Sequence, residues 1–170
     1  MDFEQICQSR YSVRSFGERK AETTKIHNIL NSIRQAPTAL NHQPYKIVVA
    51  DTVEAIEKLK RAKAALYEAK TVLIVCSERD NAWSNRYSGE NDVLIDIGIV
   101  VATALYAAKE NGLDSCCVCN FDPAALKEEF RLADNLTADA LILLGYASDT
   151  ATPSERHFIR RVIDEFTISD

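Results

Sequence analysis

Residues 91–111 (NDVLIDIGIVVATALYAAKEN) constrain this chain more than any other stretch. Val93, Leu94, Ile97, Val100, Val101, Ala104, Leu105 and Ala108 recur at helical spacing, yet apolar side chains cover nearly the whole circumference. A helix of that kind does not rest on a surface with one face in water, so it is central or lies at a subunit interface. It offers more apolar surface than one small domain easily covers, and an isologous interface is the simplest use for the excess. An ordinary central helix within one subunit is the alternative. Asn111-Gly112 supplies a left-handed stop.

The remaining elements have to pack around that helix. Residues 2–9 read as a short helix capped by Asp2, with Phe3 and Ile6 on one face. Residues 22–35 form a helix carrying Ile26, Ile29, Leu30 and Ile33, and Ala36-Pro37 ends it. Residues 46–50 (KIVVA) read as a strand, 52–67 as a helix and 71–76 (TVLIVC) as a fully buried strand. A polar loop over 77–90 holds Trp83. Residues 115–119 form a short strand, Asp122-Pro123 opens a helix to about residue 131, and 139–146 form a last strand. The tail after Pro153 is irregular, first basic and then apolar. Four strands mixed with helices indicate an α+β or three-layer α/β/α sandwich. The length of 170 residues, without repeat, linker or low-complexity segment, predicts a single domain over 1–170.

A net charge of −5 argues against nucleic acid as a partner, since phosphate backbones recruit basic surfaces. The start, MDFEQICQSRYSV, lacks a basic stretch followed by an apolar one, and no apolar run is long and clean enough to span a bilayer. The expectation is a cytoplasmic protein without a membrane partner. The five cysteines are odd in number, and Cys116, Cys117 and Cys119 are crowded, which does not suggest a disulfide framework. Zinc needs a second ligand pair, and His27, His42 and His157 are scattered. No metal is expected, and the thiols read as small apolar residues, with a metal-binding domain ranked last.

Residues 10–16 read R-Y-S-V-R-S-F. In an extended chain alternate side chains share a side, so Arg10, Ser12 and Arg14 present two guanidinium groups and a hydroxyl together. That face suits a polyoxygenated anion such as the ribityl-phosphate tail of a flavin, because arginine offers a planar fork of donors. A helix-exit loop with solvated arginines is the other reading of these seven residues.

Three further segments follow in order: Ala36-Pro37-Thr38-Ala39-Leu40-Asn41-His42-Gln43-Pro44-Tyr45 before a strand, Asn111-Gly112-Leu113-Asp114-Ser115-Cys116, and Leu144-Gly145-Tyr146 with a basic segment beyond it. With RYSVRSF, this order and spacing resembles the nitroreductase family of flavin-dependent oxidoreductases across nearly the whole chain. The resemblance implies a dimeric α/β/α sandwich around a mixed, mainly antiparallel sheet, with FMN bound noncovalently at the subunit interface. It implies that Arg10, Ser12 and Arg14 contact the phosphate, ribityl chain and pyrimidine edge. Pro37, Thr38, Ala39 and Asn41 would come from the other subunit to line the ring. Gln43 would fix the strand start beside it, and Arg160 would lie near the phosphate, with Arg156 and Arg161 as alternatives.

The implied chemistry is hydride transfer from NADH or NADPH to flavin N5, then electron delivery to a nitroaromatic, quinone or similar small-molecule acceptor, by a ping-pong mechanism. No catalytic side chain is needed, because the cofactor carries the reaction. Two other readings stay open: an FMN carrier or sensor, and a related flavin reaction such as enone reduction or dehalogenation. Several positions depart from the family pattern. Asp114 stands where glycine is usual, and a carboxylate there would repel a phosphate or narrow the pocket. Cys117 replaces a tryptophan, and the basic tail lacks the usual lysine and proline. The 77–90 loop is short for a family whose larger members carry a long excursion over the site.

Overall fold

The computed structural model describes residues 1–169. Four strands form one sheet: β1 (Tyr45–Ala50), β2 (Thr71–Glu78), β3 (Asp114–Val118) and β4 (Leu136–Gly145), in the order β1-β2-β4-β3. Every neighbouring pair is antiparallel. The parallel component is one bridge, Ser12 to Ser115, which makes the sheet mixed only at its β3 edge. The inner strands β2 and β4 are apolar on both faces, as strands covered on both sides must be.

Alternation along these strands divides the core into two layers. Leu73, Val75, Ile142 and Leu144 face helices α2 (Thr23–Ile33) and α4 (Val93–Glu110). Val72, Ile74, Leu141 and Leu143 face α3 (Val53–Arg61) and α5 (Pro123–Phe130). The short α1 (Phe3–Ser9) lies against α4, with Phe3 edge-on to Tyr106. The result is the expected three-layer α/β/α sandwich. Along α4, Val93, Ile97, Val100 and Ala104 are buried in the chain's own core, while Leu94 and Ile95 are 57% and 63% exposed.

Sequence signals set most helix ends. Asp2 and Gln5 close a capping box on α1, and the Asp122 carboxylate accepts the N–H groups of Ala124 and Ala125 ahead of α5. Gly112 (φ 67°) ends α4 in a left-handed turn, with the N–H of Leu113 bonded to the carbonyl of Ala108. Two helices end the same way without glycine. Lys63 (φ 56°) stops α3 through the bond from Ala64 N–H to Leu59 carbonyl, and Arg131 (φ 50°) stops α5. The first corrects the expected helix over 52–67. The chain turns after Ala62 so that Leu66 and Ala69 enter the α3/α5 layer, and Tyr67 offers its carbonyl to Phe16 N–H.

The last strand begins at Leu136, three residues before the expected start. A bulge hides its period: Val75 pairs with Ala140 and Cys76 with Ala138, leaving Asp139 unpaired. Its carboxylate accepts the N–H of Ser77 at 2.8 Å, so the bulge costs no unpaired donor there. Beyond Pro153 the chain forms two short 3-10 turns, Glu155–Phe158 and Ile163–Glu165. Phe158, Ile159, Val162, Ile163, Phe166 and Ile168 are all exposed on this arm.

Candidate functional site

The segment RYSVRSF runs along the outer edge of β3. Val13 N–H donates to Ser115 carbonyl at 3.0 Å, Phe16 N–H to Tyr67 carbonyl at 3.1 Å, and Gly17 N–H to Tyr146 carbonyl at 2.9 Å. Val13 and Phe16 are buried, and Tyr11 packs on the same layer. Phe16 lies directly over Gly145, where a Cβ would stand 3.1 Å from its ring. Apolar residues thus anchor the segment, leaving Arg10, Ser12 and Arg14 to line a cleft of about 360 Å³. The opposite wall is Ser154, Arg156, His157 and Arg160 from the chain's far end. Both ends of the sequence, expected to share one site, meet here.

Four guanidinium groups border this cleft: Arg10, Arg14, Arg156 and Arg160. Among the described residues, no carboxylate lies within ion-pair distance of any of them. Two arginines elsewhere are neutralised: Arg61 grips Glu129 through two bonds of 2.7 Å, and Arg19 pairs with Glu22. Arg160 donates to the Ile159 carbonyl at 2.8 Å, which steadies its fork. Arg161 turns away and lies 5.8 Å from the Phe166 ring centre. Beneath the segment, burial pushes the Cys116 thiol up, while Arg14, the Ser12 hydroxyl and Arg10 pull the other way. Clustered uncompensated cations with hydroxyl donors form an anion site with bidentate donors available.

Asp114 is held by its own partners. It is not among the cleft-lining residues. Its carboxylate accepts Ala147 N–H at 2.9 Å and lies 3.7 Å from Lys109. It latches the start of β3 to the chain leaving β4. A second latch lies nearby: Tyr146 donates its hydroxyl to Glu22, accepts from Lys25 at 3.0 Å, and carries Arg19 over its ring at 4.0 Å. The Tyr146 hydroxyl, a backbone N–H and Arg19 hold the Glu22 carboxyl down at about 2.

Pro37, Thr38, Ala39, Asn41 and Gln43 do not line the cleft; they form a separate loop ahead of β1, and Pro37, Asn41 and Gln43 are exposed. Leu40 (φ 49°), Asn41 (φ 58°) and Gln43 (φ 50°) all occupy the left-handed region, which disfavours side chains. Five hydrogen bonds hold this shape. The Thr38 hydroxyl accepts Gln43 N–H at 3.0 Å, and Gln43 donates to Asn41 carbonyl at 3.2 Å. His42 and Asn81 clasp each other's backbone, at 3.1 and 3.3 Å. Asp96, in the first turn of α4 and only 4% exposed, accepts Ala39 N–H at 3.0 Å.

The sequence reading missed Tyr11, Ser154 and His157 in the cleft, and Asp96 beneath the loop. Ser154 carried a usable signal: it caps the turn that presents Arg156, accepting its N–H at 3.4 Å. His157 is fixed by aromatic edges, 6.0 Å from Tyr11 and 5.0 Å from Phe158, pairings no local motif announces. Cys116 and Cys117 belong to opposite layers of the sandwich, and burial pushes Cys117 up to about 12. Among the described residues no cluster of three or more His, Cys, Asp or Glu side chains is arranged to hold a metal ion.

Over residues 7–69 and 58–146 the chain matches the model of the nitroreductase family. A nitroreductase family protein of Clostridium difficile 630 has the same fold at a TM-score of 0.91, with 36% identity across 99% of this chain and 98% of that one. A nitroreductase-like protein of Exiguobacterium sibiricum 255-15, solved in complex with FMN, has a TM-score of 0.86 over 100% of this chain and 98% of its own. Its 19% identity makes that a likeness of fold. The NADH dehydrogenase of Thermus thermophilus is 22% identical over an alignment of 201 positions, spanning 96% of this chain and 95% of its own.

Proposed function

The chain belongs to the nitroreductase family, and from that premise we propose that it is an FMN-dependent oxidoreductase. It draws electrons from NADH or NADPH and delivers them, by a ping-pong sequence, to a small-molecule acceptor such as a nitroaromatic or quinone. The observation that carries this reading is the cleft: four guanidinium groups without carboxylate partners among the described residues, beside the Ser12 hydroxyl. That donor set fits a phosphate monoester with a polyhydroxylated tail. FMN, when bound, supplies the electron relay between donor and acceptor.

The chain's own residues bind and orient. Arg10, Arg14, Arg156 and Arg160 neutralise the phosphate, and Ser12 meets the ribityl chain. Pro37, Thr38, Ala39 and Asn41 of a second copy border the ring and Gln43 fixes the strand start beside it, which accords with the exposure of Pro37, Asn41 and Gln43 and with the absence of all five from this chain's own cleft. The Thr38 hydroxyl already accepts Gln43 N–H, so its proton remains free to donate. A homodimer is supported by exposed Leu94 and Ile95 on α4 and by the apolar arm after Phe158. No helix of the described residues is long and apolar enough to cross a membrane. We place the protein in the cytoplasm and assign 1–170 to one domain.

The test is the visible spectrum of the purified protein with added FMN, under nitrogen, before and after NADH and then NADPH. Bound flavin bands that bleach with a nicotinamide support the oxidoreductase and name its donor. Bands that persist with both point to a carrier. Failure to bind FMN at all removes the proposal.

A further inference from the structure

The loop over 37–43 is held in a conformation its residues disfavour, and the agent that holds it is buried. Three non-glycine residues at positive φ persist only where the surroundings over-determine them. The internal hydrogen bonds of the loop join it to itself, and the His42–Asn81 clasp joins it to another exposed loop. Asp96 alone among these partners sits on a core helix. It is 4% exposed, one turn from buried Val93 and Val100, yet it does not cap its own helix. A carboxylate is expensive to bury unless it is bonded, so its placement needs a purpose. Its bond to Ala39 N–H is charge-assisted and ties the loop to α4.

We propose that Asp96 is a positioning residue: through Ala39 it sets the 37–43 loop, and so the height and tilt at which the loop meets the flavin ring. This rests on the reading that the loop borders that ring. The phosphate end is held elsewhere, by the arginine cleft. The consequence is a division of labour, in which the cleft sets how tightly FMN binds and Asp96 sets how productively its ring is held.

The experiment compares Asp96→Ala, Asp96→Leu and Asp96→Asn with the wild type. Leucine keeps the branched outline with larger methyl groups and alanine leaves a gap, so a loss shared by both is neither overpacking nor a cavity. Asparagine keeps an oxygen acceptor. In the FMN-free protein, amide exchange at residue 39, read by NMR, should quicken about tenfold or more in the Ala and Leu variants and stay near wild type in Asn, the scale of losing a bond to a charged acceptor. In the FMN-loaded protein, kcat should fall about tenfold or more in Ala and Leu with FMN affinity within about threefold, as misplacement of a reacting group predicts. Asparagine should restore kcat.

Unchanged residue-39 exchange in both Ala and Leu would overturn the proposal, whatever FMN does. So would unchanged kcat in a flavin-loaded, fully folded variant. If both variants fail to fold while Asn folds, Asp96 is a folding residue and the positioning role is lost. A wild type that binds no FMN defeats the functional reading instead, and the exchange measurement still reports on the Asp96 bond.

Discussion

Replacing Arg10 with alanine should separate phosphate recognition from ring recognition. Arg10 is the half-buried member of the guanidinium quartet, whereas Arg14, Arg156 and Arg160 are exposed. Its backbone N–H caps α1 at Ile6, so the substitution leaves the helix end intact. A hydrogen bond to a charged partner is worth about 1.5–3 kcal/mol. At about 1.4 kcal/mol per tenfold, Arg10→Ala should weaken FMN roughly 10- to 150-fold. The exposed arginines act through a wetter medium, where two charges about 4 Å apart gain nearer 1 than 4 kcal/mol. Arg14→Ala or Arg156→Ala should therefore cost about fivefold each. Arg161→Ala should cost nothing, since its guanidinium lies against Phe166.

The assay is titration by quenching of flavin fluorescence, run in parallel with FMN and riboflavin at two salt concentrations. Riboflavin has no phosphate, so Arg10→Ala should leave its affinity unchanged and narrow the gap to FMN, the remaining arginines keeping FMN the tighter ligand. The wild-type preference for FMN should shrink with added salt, because exposed charges are screened over about 10 Å at 0.1 M. An equal loss for both ligands would refute the reasoning, as would no loss for either.

Three other variants concern the scaffold. Gly112→Ala should lower stability by about 1 kcal/mol, since the α4 stop needs its φ of 67°. Lys63→Gly should raise stability by up to about 1 kcal/mol, because Lys63 holds the same conformation against its own Cβ; thermal melts of the two variants should move in opposite directions. Tyr146→Phe should return the Glu22 carboxyl from about 2 toward its ordinary 4.5, followed by carboxyl NMR titration. A carboxyl depressed in the folded state stabilises above its unfolded pKa, so the wild type should lose this contribution as pH falls from about 4.5 through about 2. In Tyr146→Phe that acid-induced loss should be smaller.

The layers of the fold were legible because they depend on period. Apolar runs at 71–76 and 139–146 identify inner strands, and Asp2, Asp122 and Gly112 identify helix ends through local chemistry. The overlong α3 was not avoidable by the same means. Lysine at the left-handed stop carries no mark, and the apolar Ala64-Ala65-Leu66 continues a helical pattern while packing as a turn. The start of β4 was hidden because Asp139 breaks the alternation in a bulge. At the site, Arg10, Ser12, Arg14 and Arg160 were legible from spacing and resemblance. His157 and Asp96 were not, since each acts through a partner distant in sequence: Tyr11 for one, Ala39 for the other.

The edge position of RYSVRSF has a bearing on self-association. A sheet's outermost strand presents unsatisfied amides and carbonyls that recruit other chains. Here the covering of β3 is the same segment that carries the arginines, clipped on through Ser12, Val13 and Ser115. Two guanidinium groups on a covering strand repel a second copy approaching that edge, so residues that line the cleft also discourage edge-to-edge pairing of sheets. An anion bound there would offset this repulsion and at the same time clamp the cover in place, and the protection of the edge would pass from charge to rigidity.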